Sequence, residues 1–408
     1  MSIKVPVIMY HSVGQNNPNW IWNYLITPVN VFESQIKLLL KRGFNSINLQ
    51  ELYEHMKYNN KISDNPIVLT FDDGYLDNWV YAFPILKKYG MKGTIFVNPE
   101  FVDPTDKCRP NLDDVWSGRC KEEDLLNRGF LSFQEMRKME ESGVMDIQSH
   151  SMSHTWFFCN DEIIDFHYPG NNQYPWLFWN ACPERKSFYL NENQEHFVSY
   201  GTPIYANGRS LGIRRYLEDK NLTEYLVTYV KKEGLSFFER RDWKEQMFNQ
   251  VDLYKKRNNF NNWRYETDEE QKERFKYELI ESKIILEGKL KKEVNFLCWA
   301  GGAFNDDALN IAKECGYLSS TLFFRDPNIK NIFGEDPSAI NRTGSSDSFF
   351  WRNRFISYTD PGFFMANIRH FQGIKKYLWL MRLYKIKYLI KFFIKDKIGE
   401  CKSESCGN

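Results

Sequence analysis

Short apolar runs alternate along the chain with segments whose apolar residues recur every three or four positions. Val5 to Tyr10 is such a run and ends at His11, which predicts a buried strand. Thr27 and Pro28 read as the N-cap and first residue of a helix carrying Phe32, Ile36, Leu39 and Leu40, ended by Gly43. Ile67 to Phe71 is a second strand with Asp72-Asp73-Gly74 at its C-terminal end. A helix through Trp79, Phe83, Ile85 and Leu86 stops at Gly90, and Gly93 to Val97 is the next strand. Ser132 and Glu135 form a capping box opening a helix that closes near Gly143. Met145 to Ser149 then leads as a strand into His150.

Strand, helix and strand in turn predict a parallel sheet, in which functional groups collect at the C-terminal strand ends. His11, Asp72, Asp73 and His150 all fall there. From residue 157 to 274 the rhythm breaks into a Trp-, Tyr-, Phe- and Asn-rich stretch, read as an insertion beside the site. Alternation resumes with a helix from Asp268 to Lys292, a strand from Val294 to Trp299, a helix from Asp307 to Cys315, and a short strand from Ile340 to Arg342. Residues 1–156 and 275–372 are thus expected to form one α/β body. Residues 373–408 are expected to form a basic amphipathic helix and a frayed tail. Its Lys375, Lys376, Arg382, Lys385, Lys387, Lys391 and Lys395 are set among Leu378, Trp379, Leu383, Leu389 and Phe393. Residues 373–398 suit either an anionic membrane surface or docking on the body with a solvated basic face.

Composition narrows the classes further. Aromatic residues make up 16% of the 408, which suits stacking on sugar faces as well as core packing. A net charge of +1 argues against a whole-surface nucleic-acid binder. The eight cysteines form no C-x-x-C pair, and the first ten residues hold no long apolar signal segment. Both point to a reducing, cytoplasmic compartment. No uninterrupted apolar window of about 18 residues predicts a membrane span.

Adjacent carboxylates repel unless a cation or proton separates them. A divalent ion on one of Asp72 and Asp73 supplies that separation and leaves the other as a base. The plain alternative is a strand-end turn, since Asp and Gly are turn formers. His150-Ser151-Met152-Ser153-His154 spaces two imidazoles four residues apart, and on one helical turn both would grip one ion. Two imidazoles and a carboxylate leave open positions for water and substrate. Such a set suits zinc, with cobalt or nickel also fitting.

Thr70-Phe71-Asp72-Asp73-Gly74, followed by His150-Ser151-Met152-Ser153-His154, resembles the first two motifs of the polysaccharide deacetylases, carbohydrate esterase family 4. The resemblance covers roughly residues 5–155 and 275–345. It implies a distorted (β/α)7-type barrel, with Asp72 as catalytic base and Asp73, His150 and His154 as metal ligands. The family's third motif, a turn whose backbone N–H holds the oxyanion, matches Cys298 to Asn305. There Trp299 precedes Ala300 in place of proline and Gly301 in place of tyrosine. Gly301 can still donate its backbone N–H, with Trp299 beside the substrate, whereas the arginine that positions the base is absent from this motif. The late Leu-x-x-His that supplies the general acid is also missing. Poly-N-acetylglucosamine deacetylases carry that histidine at the start, and Pro6 to Ser12 resembles their Tyr-His segment, which implies His11 as general acid rather than His370.

The implied reaction is metal-assisted hydrolysis of an N-acetyl or N-acyl group on an amino sugar. The substrate expected is an N-acetylated glycan or a lipid-linked precursor of a surface polysaccharide, at the inner face of the membrane. A catalytically degenerate sugar-binding protein of the same fold is the alternative, and it would not need Asp72.

Overall fold

The computed structural model describes residues 3–257, 262–322, 326–351, 354–358 and 360–404. The apolar runs of the N-terminal part become β1 (Val7–Tyr10), β2 (Pro66–Phe71), β3 (Gly93–Val97) and β4 (Met145–Ser149). Next come β5 (Trp156–Phe166) and β6 (Pro203–Arg209), which pair antiparallel with each other outside the main sheet. β7 (Phe296–Leu297), β8 (Ser319–Thr321), β9 (Ala339–Ile340) and β10 (Thr343–Gly344) complete the main sheet. Its order is β9-β8-β7-β4-β3-β2-β1-β10, every pairing parallel, with Asn45–Ser46 also paired to β2.

The two edge strands, β9 and β10, are separated in sequence only by Asn341 and Arg342. Three peptide steps reach at most about 11 Å, so the edges must come round to face each other. The sheet is therefore curled into the expected barrel, and Asn341–Arg342 crosses its seam. Asn341 is locked there by a buried amide exchange. Its N–H donates to Asn331 Oδ1 at 2.9 Å, and Asn331 Nδ2 donates to the Asn341 carbonyl at 2.9 Å and to that of Val5 at 3.0 Å. The single strand expected at 340–342 is thus two dipeptide strands with the seam between them.

Strand residues divide by period two. Ile8, Leu69, Ile95, Ile147 and Leu297 pack outward on the helical layer, which includes α1 (Val29–Lys41) through Phe32, Ile36 and Leu39. Val7, Val68, Phe96 and Phe296 face the other way and pack with Leu49, Leu52, Tyr53 and Met56 of α2 (Leu49–Tyr58). The Ser132–Glu135 capping box opens α3 (Phe133–Glu141) as expected. Residues 268–290 form a helical run interrupted by a π-helical segment, Tyr277–Glu281.

Residues 156–257 form a body of their own. Phe166 of β5 packs with Leu222, Leu226 and Val230 of the Lys220–Glu233 helix and Met247 and Val251 of Trp243–Arg257. The C-terminal segment is helical from Lys376 to Glu404, but it departs from the amphipathic pattern expected of it. Tyr384 meets Phe363 edge-on at 6.5 Å, and the Tyr388 hydroxyl donates to Asp360, so one stripe lies on the Pro361–Phe371 helix. Leu378, Trp379, Leu383, Ile386, Ile390 and Ile394 remain exposed among the lysines. Clustered large apolar residues thus occupy the solvent side too, because consecutive apolar pairs wind round the helix. The expected tail beyond Glu404 lies outside the described residues.

Asp77, four residues beyond Asp73, is buried and accepts from Ser12 Oγ. Burial raises its carboxyl from 3.8 to about 7, against the lowering effect of the Ser12 hydroxyl and the Val13 and Asn78 N–H groups. The folded state therefore holds this proton more tightly than the unfolded chain. Folding loses stability as pH rises from 4 through 7, by up to about 4 kcal/mol. The Asp77→Asn variant should gain more in Tm over the parent at pH 8 than at pH 5. Equal shifts at both pH values would show that Asp77 is not the responsible group.

Candidate active site

β2 is buried along its whole length, and its ladder ends with the Asp72 N–H donating to the Tyr10 carbonyl at 3.0 Å. Asp73 (φ 74°) and Gly74 (φ 66°) then both take the left-handed conformation. A Cβ at Gly74 would press on Val97, so this position of the motif needs glycine. The reversal separates the two carboxylates, and each finds its own cations.

Asp72 is gripped by Arg342 from the barrel seam, with Nη1 donating to Oδ1 at 2.7 Å and Nη2 to Oδ2 at 2.9 Å. The guanidinium also donates to Cys298 Sγ at 3.0 Å and lies over the Phe96 ring. Burial raises the Asp72 carboxyl, but Arg342, His150 and His11 more than reverse this and hold it below the usual range. His11 Nε2 stands 3.9 Å from Asp72 Oδ2. An arginine on Asp72, the expected base, is thus present, though outside the motif in which the resemblance places it. Its only sequence signal is a charge next to a short apolar stretch.

Asp73 Oδ1 lies 3.1 Å from His150 Nε2 and 3.3 Å from His154 Nε2, and this buried oxygen makes no hydrogen bond. His150 Nδ1 donates to the Cys298 carbonyl at 2.8 Å, so that in the neutral ring a metal ligand requires, Nε2 turns its lone pair toward Asp73. Three electron-pair donors thus converge with nothing between them. Ligands about 2.1 Å from one tetrahedral ion stand about 3.4 Å apart, so these residues fit a divalent cation. Asp72, His150 and Cys298 also converge, but Arg342 already occupies both Asp72 oxygens and the thiol. Burial brings His154 down to about 4, so it is neutral near pH 7. Burial also works against charge on His150, but Cys298, Asp73 and Asp72 together raise it.

The histidine pair does not sit on a helical turn, which corrects the sequence expectation. His150 ends β4, and residues 151–155 form a loop in which Ser151 (φ 61°) and His154 (φ 44°) are left-handed. Such strained positions persist where surroundings over-determine them. Here Glu278, buried on the π-helical segment, accepts the Met152 and Ser153 N–H groups at 3.1 and 3.0 Å and the Ser153 and Ser210 hydroxyls. Asn98 Nδ2 donates to the His150 and Ser151 carbonyls. Neither support is legible in the motif, because each comes from a distant segment.

His11, Asp72, Asp73, His150, His154, Trp299 and Gly301 all line one cavity of about 590 Å³. Trp299 is buried and stacks on Phe304 at 4.5 Å, and Gly301 is left-handed at φ 58°. His370 lies on the Pro361–Phe371 helix and is not part of this lining. Trp22, Trp156, Trp179 and Arg209 complete one wall.

The polysaccharide deacetylase family profile matches residues 59–203, which hold both aspartates and both histidines of the ligand cluster. Over these residues the chain is similar to the polysaccharide deacetylases. YxkH of Bacillus subtilis (strain 168), whose name assigns it provisionally to the polysaccharide deacetylases, is 30% identical over 151 residues. That is 37% of this chain and 43% of YxkH. The poly-beta-1,6-N-acetyl-D-glucosamine N-deacetylase of Staphylococcus aureus (strain MSSA476) is 28% identical over 133 residues, 32% of this chain and 38% of that one. The matches thus span less than half the length of these relatives. Among solved structures, a de-N-acetylase from Aggregatibacter actinomycetemcomitans superposes with TM-score 0.49 at 19% identity, covering 83% of this chain and 94% of that one. The BpsB deacetylase domain from Bordetella bronchiseptica gives 0.47 at 17%, covering 84% and 95%.

The ligand geometry makes a direct prediction. Asp73→Asn and His154→Gln should each weaken cobalt(II) binding by more than about 100-fold, more than loss of a supporting hydrogen bond costs. Asp72→Asn should leave it nearly intact, as read by visible absorption titration of the apoprotein. The reverse ranking would move the ion to the Asp72, His150 and Cys298 cluster.

Proposed function

We propose that this chain hydrolyses the N-acetyl or N-acyl group of an amino sugar, in a cell-surface polysaccharide or its lipid-linked precursor. The observation that supports it is the meeting, in one cavity, of an arginine-held carboxylate, a histidine facing it, and a three-residue ligand cluster. Asp73, His150 and His154 would hold the ion, with zinc fitting this donor set and cobalt or nickel as substitutes. When bound, it would supply Lewis-acid polarisation of the acyl oxygen and acidify the hydrolytic water.

The protein's own groups divide the remaining work. Asp72, ionised and fixed by both arms of Arg342, takes a proton from water as its oxygen bonds to the acyl carbon. The Gly301 N–H would donate to the developing oxyanion, and Trp299 lines the cavity beside it. Protonated His11 gives its proton to the amine nitrogen as the C–N bond breaks, releasing a carboxylic acid and a free amino sugar. The aromatic wall of Trp22, Trp156 and Trp179 offers ring faces to sugar C–H groups.

The reading extends to place. No helix among the described residues is long and apolar enough to cross a membrane. The exposed Trp379, Leu383, Ile386 and Ile390 stand among Arg382, Lys385 and Lys391, while Met381 of the same helix lines the cavity. We infer that this helix rests on an anionic membrane face, bringing the cavity mouth to a lipid-linked substrate. The unpaired cysteines of the described residues suit the reducing, cytoplasmic side.

His11→Gln should lower kcat for acetate release by about 100- to 10,000-fold while bound metal is unchanged. A metal-loaded parent that releases no acetate from any N-acetylated glycan would leave the sugar-binding alternative standing instead. For the membrane contact, reversing charge at Arg382, Lys385 and Lys391 to Glu together should abolish sedimentation with phosphatidylglycerol vesicles. Undiminished sedimentation would refute that contact.

A further inference from the structure

Among the described residues, the cavity holds one arginine that neither Asp72 nor the ligand cluster uses. Arg209 is the last residue of β6 and sits opposite Trp156 of β5, two residues beyond His154. It lines the cavity, yet among the described residues it makes no ion pair and no hydrogen bond, and its Nε is buried without a partner. Its electrostatic neighbour is the Tyr24 hydroxyl, which is no counter-ion at neutral pH. Three other arginines of this region hold carboxylates, Arg342 on Asp72, Arg274 on Glu266 and Arg214 on Asp268, while Arg215 lies over the Phe157 ring outside the cavity lining.

The surrounding loop makes room for it. A Cβ at Gly301 would overlap the Arg209 Nε, so the missing side chain at 301 is what lets the guanidinium lie against this wall. Among the described residues, both carboxylates that line the cavity are already committed, Asp72 to Arg342 and Asp73 to the histidines. A partly buried guanidinium without a counter-ion is costly, and the compensating anion must come with whatever fills the cavity. Its planar fork suits the oxygens of a phosphate or a carboxylate. Trp22 and Trp156, stacked at 6.4 Å, place ring faces for a sugar next to it.

We propose that Arg209 is a specificity residue that binds an oxyanion carried on or next to the acylated amino sugar, so that the substrate is acidic. This rests on the amino-sugar reading above, but binding tests it without turnover. A sugar phosphate would mark an activated or lipid-linked precursor, and a uronic acid carboxylate would mark an acidic polysaccharide.

The test is calorimetric titration of the full, metal-loaded chain carrying His11→Gln to slow hydrolysis. The probes are N-acetylglucosamine 1-phosphate, a glucuronic acid–N-acetylglucosamine disaccharide, and the neutral N-acetylglucosamine dimer. At least one acidic probe should bind about 10- to 100-fold more tightly than the neutral one, the range of a charge-assisted hydrogen bond. Whichever acidic probe shows the preference names the source of the oxyanion. Adding Arg209→Gln should erase the preference and leave the neutral dimer's affinity unchanged, while Arg209→Lys should keep part of it. The proposal is overturned if no acidic probe is preferred, or if the preference survives Arg209→Gln, as it would for phosphate held by the metal alone. It is equally overturned if Arg209→Lys and Arg209→Gln weaken neutral and acidic probes alike.

Discussion

Two carboxylates on consecutive residues at the end of a buried strand set the terms for everything around them. In a low-dielectric interior their repulsion and desolvation amount to several kcal/mol unless cations meet each one. The backbone reversal at Asp73 and Gly74 turns them apart, and two different segments supply the positive charge. Arg342 arrives for Asp72 from the barrel seam, and the His150–His154 loop arrives for Asp73 from the end of a neighbouring strand. A single arginine thereby ties the closing seam of the barrel to the group best placed to act as base.

The supports of this arrangement are themselves buried and polar. Glu278, on the π-helical segment, accepts two backbone N–H groups and the Ser153 hydroxyl from the histidine loop and the Ser210 hydroxyl from just beyond β6, and such segments are a common device at functional sites. Asn331 and Asn341 satisfy each other and the carbonyl of Val5, fixing the residue before Arg342. Strain in the loop, with Ser151 and His154 both left-handed, is held by these contacts rather than by local preference.

Residues 156–257 change the site without entering the ligand cluster. They contribute Trp156, Trp179 and Arg209 to one wall, while the ends of the barrel strands carry His11, Asp72, Asp73 and His150. Gly301 links the two: its lack of a side chain, which reads as a loose match to a family motif, is the space that Arg209 fills.

Local chemistry in the sequence determined the strands, because continuous apolar runs bury both faces of a parallel sheet, and it determined that His11, Asp72, Asp73 and His150 share its C-terminal edge. It also determined that Asp73, His150 and His154 stand together, since the motif spacing carries that within one family. It misread the histidine pair as helical, because i and i+4 spacing is equally met by a loop held in left-handed conformations from outside. Arg342, Glu278 and Arg209 became visible only in three dimensions. Arg342 and Glu278 are each more than 100 residues in sequence from the Asp72 and Met152–Ser153 groups they hold, and only closure of the barrel and folding of the inserted body bring them and Arg209 to this site.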